Sequence, residues 1–207
     1  MFDRSAFARF VGTISQKMSE NRDRLVELDQ VNGDGDLGIS MDDGFRALAA
    51  FAQKSDEGDL GQLLREAAKV LNQSAPSSLG TILSFGLMGM AKSLRGVTSA
   101  DFAQSAQALR DGLENIMAKA ESKPGEKTIL DSLHPGVEVL LKGSADDIPV
   151  ALQAAADAAA AGSEGTREMR AVHGRAAYTA ERSIGILDGG SVVGRLIFEG
   201  IAEAGTA

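Results

Sequence analysis

Apolar side chains recur at three- and four-residue spacing along almost the whole of this 207-residue chain, and no other feature restricts its fold as much. Phe7, Phe10, Val11, Ile14, Met18, Leu25 and Leu28 lie on one helical stripe, which predicts a single long amphipathic helix over 4–29. Met41, Phe45, Leu48, Ala49 and Ala52 form the next stripe, and Leu60, Leu63, Leu64, Ala67, Val70 and Leu71 the one after. Further helices are expected over 82–94, from Phe102 to Met117, and over 129–141, 148–161 and 192–204, with a shorter piece at 166–171. No stretch alternates between apolar and polar for five residues between turn signals, so a sheet is not expected. Loops are short, marked by Gly, Pro, Asp and Ser, and no linker divides the chain. The expectation is an all-α, single-domain protein over 1–207, built from eight or so helices.

Charge and composition narrow the function. With 29 acidic and 21 basic side chains and a formal net charge of -8, the surface is the wrong sign for nucleic acid or an anionic membrane, so neither partner is expected. Cysteine is absent, which excludes disulfides, zinc–thiolate sites, iron–sulfur clusters and a cysteine nucleophile. His134 and His173 are the only histidines, too few for a histidine-rich metal centre, and each precedes a turn-forming residue. Asp3, Arg4 and Arg9 make the start unlike a signal peptide, and the weakly polar run 79–91 is too short to span a bilayer. A cytoplasmic location is expected. The unusual feature is 24 glycines in a chain otherwise suited to helices.

Those glycines gather where the first helix should end, in Asp29-Gln-Val-Asn-Gly33-Asp34-Gly35-Asp36-Leu37-Gly38. Gly33, Gly35 and Gly38 match the letters of a dinucleotide fingerprint. That fingerprint follows a strand and lays a pyrophosphate on bare amides, whereas here a helix precedes and Asp34 and Asp36 would repel phosphate. An EF-hand read from Asn32 fails too, because Leu37 stands where its glycine should be and Asp43 where its bidentate glutamate should be. Asp29, Asp34 and Asp36 remain to be explained. Three carboxylates on a glycine-rich turn repel one another unless a cation neutralises them, and Mg²⁺, a hard ion that favours carboxylate oxygens and phosphate, is the natural candidate. A solvated acidic turn is the competing reading.

The segment Leu28-Asp29, Gly33-Asp34-Gly35-Asp36-Leu37-Gly38, Met41 and Gly44-Phe45 resembles the loop of the nucleotide-binding L domain of dihydroxyacetone kinases, roughly L-D-x-x-x-G-D-x-D-H-G-x-N-M-x-x-G-F. Pro124-Gly-Glu-Lys127-Thr128-Ile-Leu-Asp131 is similar to the family's G-[DE]-K-T-M-x-D. Gly174-Arg175-Ala176 to Tyr178, with Glu181-Arg182-Ser183-Ile184-Gly185 to Asp188, is similar to G-R-A-S-Y-x-x-E-R-S-[IL]-G-x-x-D-P-G. The resemblance implies a closed barrel of eight antiparallel helices with a nucleotide, ADP or ATP, at one end and two Mg²⁺ ions bridging its phosphates. Carried over, the metal positions are Asp29, Asp34 and Asp36. The nucleotide positions are Gly38, Ser40, Ser74, Ser77, Ser78, Ile129, Arg175, Asp188 and Gly190. No separate catalytic residue is implied, and no G-x-x-x-x-G-K-[ST] phosphate loop is present, so metal must substitute for it.

Four departures lie at the nucleotide. The family's His is Leu37 and its Asn is Ser40; its S-G-P-L-[YF]-G-T loop is Ser74-Ala-Pro-Ser77-Ser78-Leu-Gly80-Thr81; its D-P-G is Asp188-Gly189-Gly190. Ser77 and Ser78 suit either a helix N-cap or a phosphate contact. Lys127 is read equally as a solvated helix-end charge or as a residue near the site, and Arg167, Arg170, Arg175 and Arg182 by default as a solvated basic face. The resemblance implies the nucleotide-binding subunit of a dihydroxyacetone-type kinase, inactive alone. Its partner would be a K subunit holding a short-chain ketose through a histidine hemiaminal. A phosphotransferase-system phosphodonor protein and a second copy of the chain are further candidate partners. The alternatives are a regulatory module using the same magnesium site, a related kinase domain for another sugar or an acyl group, and a helical protein that binds only the cation.

Overall fold

The computed structural model describes residues 1–206, the side chains of Thr179 and Ala180 excepted. Nine α-helices are present among them. The count exceeds the expected eight because the helix expected over 4–29 breaks. It divides into α1, Arg4–Glu20, and α2, Arg22–Gln30, at Asn21. The Asn21 side-chain amide and its backbone N–H both donate to the Lys17 carbonyl, at 2.9 and 3.1 Å. An asparagine that competes in this way for a helical carbonyl turns the chain instead of continuing the helix.

The next helices are α3 (Leu37–Lys54), α4 (Leu60–Ser74), α5 (Ser78–Ser93) and α6 (Phe102–Ala120). Local chemistry sets their starts: Asp59 caps α4, Ser77 caps α5, and Asp101 with Gln104 forms a capping box on α6. Two residues of strand, β1 (Phe2–Asp3) and β2 (Ser99–Ala100), pair antiparallel, Phe2 opposite Ala100. A pair this short carries no period for a sequence to show. Next, α7 (Leu130–Lys142) runs through Pro135, so His134 lies inside a helix and not in the expected turn. Then α8 (Ile148–Gly165) and α9 (Gly189–Thr206) extend beyond their expected ends. Between them the expected helix at 166–171 is only a 3₁₀ turn, Thr166–Glu168, and a second 3₁₀ stretch covers Arg175–Ser183.

From α3 to α9 each helix packs on the next, and α1 packs on both α3 and α9. The core is aliphatic: Met18, Leu25, Met41, Leu60, Leu63 and Leu196 are almost wholly buried. Apolar side chains from α1 and from α3 through α9 line a cavity of about 260 Å³, among them Phe7, Phe45, Leu71, Leu113, Leu140 and Phe198. Among the described residues no helix is long and apolar enough to cross a membrane.

Candidate metal and nucleotide site

The α2–α3 loop is shaped by its first carboxylate. Asp29 Oδ2 accepts from the Gly35 N–H at 2.7 Å, and the Asp29 carbonyl accepts from Gly33 N–H at 2.5 Å. Gly35 has φ +79, and a Cβ at Gly33 would collide with Asp29 Oδ1, so both positions demand glycine. The tight turn draws Asp29, Asp34 and Asp36 together, each offering a carboxylate oxygen within 4.8 Å of the others. Burial, followed by the charges of Asp34 and Asp29, raises the Asp36 pKa, and Arg175 opposes the rise. A hard divalent cation held by oxygen ligands fits this donor set.

Around the loop the starts of four helices meet. Ser40, in the first turn of α3, donates to the Oγ of Ser77, the α5 N-cap, at 2.8 Å. Leu37, first residue of α3, packs against Gly189 at the start of α9, and Gly190 lies beside the Ile129 N–H at the start of α7. The N-termini of α3, α5, α7 and α9 therefore converge on one end of the molecule, each carrying the positive end of a helix dipole. An acidic loop ringed by positive helix ends is arranged to hold a cation and an anion side by side.

The segment from Thr166 to Asp188 borders the loop. Arg175 is exposed, as a solvated face requires, but its Nη2 also stands 2.7 Å from Asp34 Oδ2, so it is paired with the acidic loop. Arg170 pairs with Glu181 at 3.3 Å. Asp188 Oδ2 accepts from the Ser191 N–H at 2.6 Å, in N-cap position for α9. Burial pushes the Asp188 carboxyl up to about 6; the Ser191 N–H and Lys127 oppose that shift, and Asp131 and Asp29 add to it.

The remaining candidates divide. Ser77, Ser40, Arg175, Asp188 and Gly190 border the loop. Ser78 is exposed on the first turn of α5, and Ser74 is the last residue of α4, three residues before the α5 N-cap Ser77. Ile129 is a core residue with 3% exposure, and Gly38 is buried where a Cβ would collide with the Arg22 carbonyl. The strongest omission concerns Lys127. It is buried, at 6% exposure, and donates to four backbone carbonyls, so the solvated-charge reading is wrong. Its neighbour Asp131, also buried, accepts from the Gly125 and Thr128 N–H groups at 2.5 and 2.7 Å and holds the turn between them. The only available signal was the placement of a lysine between a glycine turn and an apolar helix, which does not distinguish a buried ammonium from a solvated one.

Known proteins share this chain's sequence family and fold. Residues 31–203 match the DAK2 domain model. The chain is 28% identical over 202 residues to the "PEP-dependent dihydroxyacetone kinase 1, ADP-binding subunit DhaL" of Listeria innocua, covering 98% of this chain and 97% of that protein. It is 31% identical over 175 residues to the corresponding ADP-binding subunit of Escherichia coli, covering 84% and 83%. The dihydroxyacetone kinase of C. freundii, solved with AMP-PNP and Mg²⁺, superposes with a TM-score of 0.77 at 25% identity over 96% of this chain. The chain spans about a third of that protein, 34% of its length.

Proposed function

The chain belongs to the DAK2-domain family, and from that membership we propose that it is the nucleotide-binding subunit of a dihydroxyacetone-type kinase. Its finer architecture on this reading is an eight-helix barrel, with α2 outside the ring that α9 closes on α1. One observation carries the proposal: Asp29, Asp34 and Asp36 converge within 4.8 Å at the end where four helix N-termini meet. In the proposed complex these aspartates would hold two Mg²⁺ ions beside the nucleotide. Bound there, magnesium supplies the charge neutralisation that phosphoryl transfer depends on.

The chain's own residues do the positioning. The free N–H groups of α5, behind the Ser77 cap, face the phosphate end, and Arg175 reaches the same loop from the opposite side. Asp188 and Gly190 border the site at the start of α9. The acceptor is the hydroxyl of a short-chain ketose held by a separate K subunit, because the relatives matched end to end are themselves single subunits. Their names, ADP-binding and PEP-dependent, support ADP as a resident cofactor recharged by a phosphodonor protein over ATP as an exchanging substrate.

The test is thermal denaturation with Mg-ADP or Mg-ATP, each also run without magnesium. A hundredfold excess over Kd should stabilise the protein by about 2.7 kcal/mol, and Asp34→Asn should remove the effect. A wild type that shows no magnesium-dependent nucleotide shift overturns the proposal. Reconstitution with a K subunit and a ketose panel tests the transfer itself, and failure with every ketose would favour a regulatory module.

A further inference from the structure

The segment from Thr166 to Ile186 leaves the end of α8 and returns to the start of α9 as one loop, with Arg175 on its excursion. Lys127 lies between the two legs. Its ammonium donates to the Thr166 and Met169 carbonyls of the outgoing leg, at 2.6 and 3.3 Å, and to those of Ser183 and Ile186 on the returning leg, at 2.8 and 2.6 Å. Three protons are thus satisfied by three short bonds, and the fourth carbonyl makes a long one. The arrangement is over-determined: Lys127 adopts φ 60, in the left-handed region where a non-glycine residue costs about 1–2 kcal/mol. Strain at a buried, charged side chain persists only when its bonds return more than the strain costs.

The same bonds lead to the candidate site. Thr166, whose carbonyl Lys127 holds, accepts the Asp188 N–H on its Oγ1 at 3.1 Å, so one leg fixes Asp188. The other leg follows the excursion whose Arg175 stands on Asp34. The legs also touch directly, Gly185 N–H on the Arg167 carbonyl at 2.7 Å and Ala171 N–H on Ser183 Oγ at 3.0 Å, but Lys127 is the group that spans both pairs of carbonyls.

We propose that Lys127 is a positioning residue: by tying both legs of the 166–186 loop to the start of α7, it sets where Arg175 and Asp188 stand relative to the three aspartates. Its effect on ligand binding rests on the nucleotide-site reading; its effect on the loop does not. Without the ammonium, the Thr166 and Ser183 carbonyls keep the N–H groups of Met169 and Ile186, at 3.1 and 3.2 Å, but all four carbonyls lose the buried charged donor they share.

Lys127→Met keeps the apolar stem and removes the donors. In the full chain it should retain helical circular dichroism and a cooperative melt, while the amides of Ala171, Gly185 and Asp188 exchange faster with solvent. Mg-ADP affinity should fall about tenfold, within the range by which residues of one hydrogen-bond network are coupled. Arg175→Ala alone should also weaken binding, but added to Lys127→Met it should lower affinity little further, because Lys127 acts by placing that arginine. Independent, multiplying losses would overturn the positioning role, as would wild-type exchange and affinity in Lys127→Met. If that variant does not fold, Lys127→Ala with added ammonium ion provides the test: ammonium, but not tetramethylammonium, should restore protection of the three amides, and failure to restore it overturns the proposal. If wild type binds no nucleotide, the kinase-subunit reading falls, while amide exchange in the two lysine variants still decides the clamp.

Discussion

Leu37 and Gly189 share one volume. An ideal Cβ at 189 would lie 2.6 Å from Leu37 Cδ2, so the leucine, itself buried at 9% exposure, fills space that a larger residue at 189 would need. These are two of the positions at which the chain departs from the L-domain pattern. Far apart in sequence they read as separate departures, and in space they are in contact. Nearby, Asp188 has a pKa raised from 3.8 to about 6, which makes a definite prediction about pH. Its protonated form is the one the folded state favours, so its stabilising contribution is complete below 3.8 and is lost as pH rises through about 6. Denaturant titrations of the metal-free protein across that window should show a slope worth ~2–3 kcal/mol in total, which Asp188→Asn should flatten. Neither effect was legible beforehand, because burial and contact between residues far apart in sequence do not register in a local pattern.

At the scale of elements, most helices arise from apolar spacing and most starts from a capping residue. Ser77 shows how a cap acquires a second task. Its hydroxyl accepts from the Gly80 N–H at 3.2 Å, which starts α5, and it is also the acceptor for Ser40 on α3. Ser77→Ala should therefore destabilise the protein by about 1 kcal/mol in chemical denaturation, the usual worth of an N-cap. If the α5 N-terminus faces phosphate, the variant should also weaken Mg-ADP binding. The elements that spacing misjudged are those where a side chain competes with the backbone or where no period exists. Asn21 takes the Lys17 carbonyl and breaks one expected helix into two, and a two-residue strand pair is too short to alternate. The 166–171 piece stops at Glu168 because Met169 and Ala171 are held by Lys127 and Ser183, not by a helical ladder.

Across the whole molecule, closure depends on the last helix. Phe198 of α9 is 2% exposed, and its ring lies where a Cβ at Gly136 of α7 would come within 2.6 Å, so the two helices meet through an aromatic face against a glycine. Phe198→Ala should cost about 3–5 kcal/mol in equilibrium unfolding, since it removes a buried ring and enlarges an apolar cavity that exists already. The net charge of -8 has its counterpart at this scale as well. It argues against a diffuse anionic partner, but it does not describe the one end where helix N-termini and a carboxylate-bound cation would reverse the local field. Local sequence was enough to establish that the chain is helical, where most helices start, and that Asp29, Asp34 and Asp36 share one turn, because periodicity, capping and glycine turns act over a few residues. Packing in three dimensions was needed to bring the starts of α3, α5, α7 and α9 to the same end, to bury Ile129 and Gly38, and to bury Lys127 between two legs of a loop. Those outcomes depend on which distant backbone atoms come together, and burial and carbonyl contacts exist only once the helices have packed.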